Sequence, residues 1–274
     1  MTSILLRSGA LALRAVSLVV LSLAAAPSQA AVVALFADTG YVDYNVGDLG
    51  AEASNLEASL ADLGHTVNTF TGTATGDWST ALAGVDVLAI PEQESGAIYP
   101  DLDPGAVTAI QDFVSNGGSL IISEDYRDFL NDTFGWGIAT SGSAPYDLVT
   151  ANAAGTSFEG GPSSLPSNNA TASYTNLPTG STCMYENAGS DCVVFTVTYG
   201  SGSVISLGWD WYNAAPTGTL DNGWIEVLDR SVAYNSGAVA VQSIPAVGLP
   251  ALMLLSLALI GFAAARDRRG WQLS

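Results

Sequence analysis

Residues 85–122 read VDVLAIPEQESGAIYPDLDPGAVTAIQDFVSNGGSLII, and the fold turns on this stretch. It opens on a short apolar run, residues 85–90, closed by Pro91. A run of that length and composition fits a strand buried on both faces of a parallel sheet. Residues 104–114 then read as a helix. Pro104 sits in its first turn, where a missing N–H costs nothing. Asn116-Gly117-Gly118 ends the helix, and the SLII of residues 119–122 makes a second buried strand. Strand, helix and strand in that order form a parallel pair with a right-handed crossover.

The same pattern extends outward. Residues 31–37 (AVVALFA) predict a first buried strand. Leu49, Ala53, Leu56, Leu60 and Leu63 fall at helical spacing, and Gly64 stops that helix. Residues 65–70 (HTVNTF) alternate as a strand does. Beyond the quoted stretch, residues 125–134 predict a helix closed by Gly135. Residues 135–192 are rich in Gly, Ser, Asn, Thr and Pro and predict a β-rich, loop-rich insertion. Residues 193–198 and 203–207 flank Tyr199-Gly200-Ser201-Gly202 as a hairpin. Residues 220–234 predict a last amphipathic helix. The expected class is α/β: a flavodoxin-like, three-layer fold with a parallel sheet, spanning residues 31–235.

Several local runs accompany this order: Gly64-His65-Thr66-Val67, Ala83-Gly84-Val85-Asp86-Val87-Leu88, Phe113-Val114-Ser115-Asn116-Gly117-Gly118-Ser119-Leu120, Phe129-Leu130-Asn131-Asp132-Thr133-Phe134-Gly135-Trp136, and residues 200–210 (GSGSVISLGWD). With them the domain resembles the class I glutamine amidotransferase-like fold, especially its ThuA-like and β-galactosidase-trimerisation-like branches. Active members of that class carry a nucleophilic Cys on a tight turn after a strand, with a His and an acid downstream. The corresponding turns here read Pro91-Glu92-Gln93-Glu94-Ser95 and Ser123-Glu124-Asp125. Neither holds a Cys, and no His follows either. The resemblance therefore implies the fold without the triad.

The termini predict export. Arg7 and Arg14 precede the apolar residues 15–26, and Ser28-Gln29-Ala30 offers small residues for cleavage. Residues 1–30 read as a signal peptide. Residues 247–265, from Val247 to Ala265, carry no charge and suffice to cross a bilayer as a helix. Arg266, Arg268 and Arg269 follow, which sets residues 266–274 on the cytoplasmic side. Residues 236–246 form a linker containing Ser243-Ile244-Pro245-Ala246. Motif, apolar run and Arg-rich end together resemble the IPTL-CTERM and PEP-CTERM sorting signals. They imply a membrane-anchored domain on the periplasmic or extracellular side, and a sorting protease as a partner that cuts near Pro245 and releases it. A permanent single-pass anchor is the plain alternative.

Charge narrows the partners. Residues 31–243 hold 25 acidic residues against Arg127 and Arg230 alone, a net charge of −23. Such a surface repels phosphate backbones, which excludes nucleic acid, and favours cations. Cys183 and Cys192 are the only cysteines, and in an oxidising compartment they should pair.

The candidate site follows from the topology. The strand carboxyl ends of an open parallel sheet share one edge, where ligands bind. Asp38, Glu92, Glu94, Glu124, Asp125 and Asp210 each follow a strand-like run. Asp43, Asn45 and Asp48 lie in the loop after the first strand. Asp38, Glu92, Glu124 and Asp210 are expected to hold a divalent cation, with Ca²⁺ suited to hard oxygen ligands from several loops. The same acids could instead cap helices. Trp209 and Trp211 flank Asp210; exposed, they would suit a carbohydrate, and buried, they would pack the last helix on the sheet. His65 and Ser123 lack visible catalytic partners and read as structural. Two functions compete: a non-enzymatic ligand-binding or envelope-interaction module, and an envelope glycan hydrolase using two of the edge carboxylates. Neither names the ligand.

Overall fold

The computed structural model describes residues 30–234 except 126 and 143. The expected signal peptide (apart from residue 30), linker, transmembrane anchor and tail fall outside the described residues. Among those described, no helix is long and apolar enough to cross a membrane.

The first half alternates strand and helix: β1 (Val32–Phe36), α1 (Glu52–Asp62), β2 (Thr66–Phe70), α2 (Thr75–Ala81), β3 (Val87–Ile90), α3 (Pro104–Ser115), β4 (Ser119–Ser123) and α4 (Phe129–Phe134). Short elements follow: β5 (Ala139–Ser141), β6 (Tyr146–Leu148), α5 (Thr150–Ala153), β7 (Ser164–Leu165), β8 (Ser173–Thr175) and β9 (Ser181–Glu186). The chain then forms the hairpin β10 (Cys192–Tyr199) and β11 (Gly202–Leu207), and ends on α6 (Trp224–Val232).

All main strands join one sheet, ordered β2-β1-β3-β4-β11-β10-β9-β6-β7, with β8 paired to β10 and β5 to β8. Pairing is parallel from β2 to β11. It turns antiparallel at β10 and stays so outward. The expectation of a parallel sheet thus holds for the five strands from the edge strand β2 to β11 and not for the rest. Residues 135–192 lengthen the sheet, because the tight hairpin reverses the chain and leaves the β10 edge to be paired.

Side chains alternate across the central strands, so the sheet has two apolar faces. Val33, Leu35, Val87, Ala89 and Ile121 pack with Leu56 and Leu60 of α1 and Val227 and Leu228 of α6. Ala34, Phe36, Leu88, Ile90, Leu120 and Ile122 pack with Trp78 of α2, Ile110 and Val114 of α3, and Phe129 of α4. This is the three-layer architecture expected. The hairpin crosses close over the end of α3. A Cβ on Gly202 would strike the carbonyls of Gly118 and Val114, so only glycine fits there.

Three boundaries differ from expectation, each for a local reason. The helix expected at residue 125 starts at Phe129, because Asp128, just before it, has φ +60° and lies outside helical geometry. The last helix starts at Trp224, after Asp221 Oδ1 accepts the N–H groups of Gly223 and Ile225 at 3.1 and 3.2 Å. Helix α2 has no counterpart in the sequence reading. It is seven residues long with Trp78 its sole buried side chain, too little for a periodic signal.

Candidate functional site

Strands β1, β3, β4 and β11 run in one direction, so their carboxyl ends share an edge. The register aligns Ile90 with Ile122 and Ser123 with Leu207. Glu92, Glu124 and Asp210 follow these positions by a few residues. Carboxylate oxygens of the three lie within 4.8 Å of one another. All three residues are buried, at 8, 7 and 1 % exposure.

Each side chain is placed by its own local structure. The N–H of Glu124 donates to Leu207 O at 2.8 Å, which ties the end of β4 to β11. Its left-handed φ is uncommon for a residue with a Cβ and costs on the order of 1–3 kcal/mol. Asp210 Oδ1 accepts the N–H of Tyr212 at 2.6 Å. The loop after β3 is held by Arg127, whose Nε and Nη2 donate to Gln93 O and Glu94 O at 3.0 and 2.8 Å.

Charge accumulates here with little to offset it. Burial first, then the neighbouring Asp210 charge, pushes the Glu92 carboxyl up. Burial, then Glu92 and Asp210, pushes Glu124 higher still. With their carboxylate oxygens within 4.8 Å of one another, Glu92 and Glu124 disfavour each other's charged form, and a proton shared between them or a cation relieves that repulsion. Burial also raises Asp210, against the amide groups that bind its charged form. Glu92 Oε2 and Glu124 Oε2 have no hydrogen-bond donor. Buried carboxylate oxygens without donors are costly, and a divalent cation satisfies several at once.

A second group adjoins the first. Asp43, Glu52 and Glu94 also bring carboxylate oxygens within 4.8 Å of one another. Glu52 is buried and is pushed up to about 8, by burial foremost and then by Asp210, Glu94 and Glu92. Sequence reasoning places Asp43 and Glu94 near the edge and misses Glu52. The signal is present: Glu52, Leu56 and Leu60 stand at i, i+4 and i+8, so a charge interrupts the buried stripe of α1.

Other expected ligands lie elsewhere in role. Asp38 belongs to the expected cation set, but its Oδ1 and Oδ2 accept the N–H groups of Gly40 and Gly72, each at 3.0 Å. It staples the loops after β1 and β2. Asp125 accepts from Phe129 N and Leu130 N at 2.8 and 3.0 Å, capping α4; burial raises its carboxyl to about 7 despite those bonds. Trp209 and Trp211 are buried, not exposed for a carbohydrate. Trp209 stacks on Trp224 of α6, centroids 5.6 Å apart, so these rings pack the last helix. His65 accepts from Ala31 N at 3.2 Å and faces Asp229 at 3.6 Å, a structural setting at the other edge.

Grooves of about 340 Å³ beside Asp86 and Tyr234, and about 460 Å³ beside Phe70 and Asp77, carry none of the clustered acids. Glu92, Glu124 and Asp210 are packed against one another under the surface. That suits a small ion better than a sugar ring, which needs an open face between two carboxyls roughly 5–5.5 Å or more apart.

The fold is similar to that of ThuA-like proteins. A ThuA-like protein from Bacteroides uniformis matches at a TM-score of 0.50 and 12% identity, over 77% of this chain and 93% of that one. A cytoplasmic protein from Salmonella typhimurium LT2 matches at 0.50 and 14%, over 73% and 98%. A GMP synthase component from Thermoplasma acidophilum gives 0.47 and 14%, over 75% and 95%. At these identities the likeness establishes the fold alone. No family model matches the sequence, and no curated protein does.

Proposed function

We propose that this chain is an exported, membrane-anchored surface protein whose ThuA-like domain binds a divalent cation at its carboxyl edge and lacks amidotransferase chemistry. One observation carries the reading: Glu92, Glu124 and Asp210 converge from three strand ends, buried, with donor-free oxygens on both glutamates. Hard carboxylate oxygens select Ca²⁺ or a similar ion. Both cysteines are joined in a disulfide, Cys183–Cys192, which leaves no thiol for an amidotransferase nucleophile and suits an oxidising compartment. The signal-like residues 1–30 and the apolar residues 247–265 with their Arg-rich end support export and anchoring.

A calcium titration of thermal stability tests the site. An ion binding only the folded state adds about 2.7 kcal/mol at a hundred times its Kd. A saturable rise in Tm is expected; no rise up to about 10 mM, well above the ~10⁻⁴–10⁻³ M of extracellular calcium modules, overturns the site. Fractionation tests the anchor. The full chain should sediment with membranes and a chain ending at Ser243 should not; equal sedimentation of both overturns that part.

A further inference from the structure

The acids outside the Glu92–Glu124–Asp210 triad point to a second ion. Glu52 opens α1 and is only 6 % exposed, yet its Oε2 has no hydrogen-bond donor. One turn along the same face, Asn55 is fully buried and its Oδ1 also lacks a donor. Asn55 Nδ2 donates to Trp211 O at 3.2 Å, so this face of α1 lies against the segment carrying Asp210. Asp43, half-buried, and Glu94, exposed, bring their carboxylates to within 4.8 Å of Glu52. A buried, donor-free carboxylate oxygen beside two more carboxylates needs a cation or a proton.

We infer that Asp43, Glu52 and Glu94 form a second divalent-cation site beside the Glu92–Glu124–Asp210 site. This rests on the cation reading above and adds a second ion to it. The two sites differ in access. The inner triad is buried throughout, whereas Glu94 opens the outer one to solvent. The outer ion therefore exchanges faster. Its charge offsets the repulsion that Asp210, Glu94 and Glu92 exert on the Glu52 carboxylate.

Binding stoichiometry of Ca²⁺ on the purified full chain decides the matter. Calorimetry gives the count, and Tb³⁺ luminescence checks it with a second probe. Two ions per chain are expected. Asp43→Asn combined with Glu94→Gln should leave one ion, and because neither residue is fully buried the variant should fold. Glu124→Gln should weaken the inner ion at least tenfold and leave the outer one. One ion, lost in Glu124→Gln and indifferent to Asp43→Asn/Glu94→Gln, overturns the second site and keeps the first. One ion with the opposite dependence overturns the first site and the count of two. No ion overturns both.

Discussion

Glu92 and Glu124 follow neighbouring parallel strands, and their buried carboxyl groups lie with oxygens within 4.8 Å of one another at the sheet's carboxyl edge. Two like groups in that contact cannot both be charged without a counter-ion. A proton or a metal ion must serve. On the proposed cation reading, proton and calcium compete for this edge.

The direction follows from linkage. Glu52, Glu92 and Glu124 all have folded-state pKa values raised above the ordinary 4.5. The folded chain keeps protons that the unfolded chain has released, so stability is fullest below about 4.5 and declines as pH rises. For Glu52 the decline runs to about 8. In the presence of chelator, Tm should fall across that window. Glu124→Gln keeps the shape without the charge. It should raise Tm at pH 8 by about 2–4 °C for each kcal/mol regained, and change little at pH 4. The exposed Asp62→Asn, an equal change in net charge, should do far less. Thermal scans in which Asp62→Asn matches Glu124→Gln would assign the effect to general repulsion.

The contrast between what sequence conveys and what it conceals is plain at this edge. The apolar runs at 31–37, 85–90 and 119–122 are long enough to mark buried strands, and their order implies a shared carboxyl edge. That order puts Glu92 and Glu124 at one edge, and Asp210 joins them because β11 pairs parallel to β4. Asp38 occupies the same kind of position yet is spent on the amides of Gly40 and Gly72. Which acid turns inward depends on loop geometry, and that is set by contacts distant in sequence. Short strands such as β5 to β8 owe their pairing to the long β10 beside them and carry no period of their own.

The disulfide has a measurable weight. Cys183 of β9 and Cys192 of β10 are nine residues apart and bonded, joining strands whose register slips between Cys192 and Phe195. Closing so short a loop contributes roughly 2.5–3 kcal/mol in the chain-entropy model. Reduction should lower Tm by about 5–10 °C for a domain of this size. Alkylation of the unreduced, native chain should label neither Cys; full labelling of both would refute the pairing.

The tryptophan cluster separates packing from recognition. Trp209 is fully buried, stacked on Trp224 and edge-on to Trp211 at 4.4 Å. Trp209→Ala should cost about 3–5 kcal/mol in urea denaturation. Soluble envelope glycans should leave the intrinsic fluorescence of the native protein unchanged. A saturable glycan-dependent quench, with Trp209→Ala stable but unable to show it, would restore the carbohydrate reading.

The most direct test is calorimetry with Ca²⁺ at pH 7.5 on the full chain, beside Glu92→Gln and Glu124→Gln. Each substitution removes one ligand charge from the buried triad while keeping its volume. The expected result is saturable binding at a Kd of roughly 10⁻⁴–10⁻³ M, weakened tenfold or more in both variants. The absence of saturable heat in the unsubstituted chain, or equal binding in all three, would contradict the account.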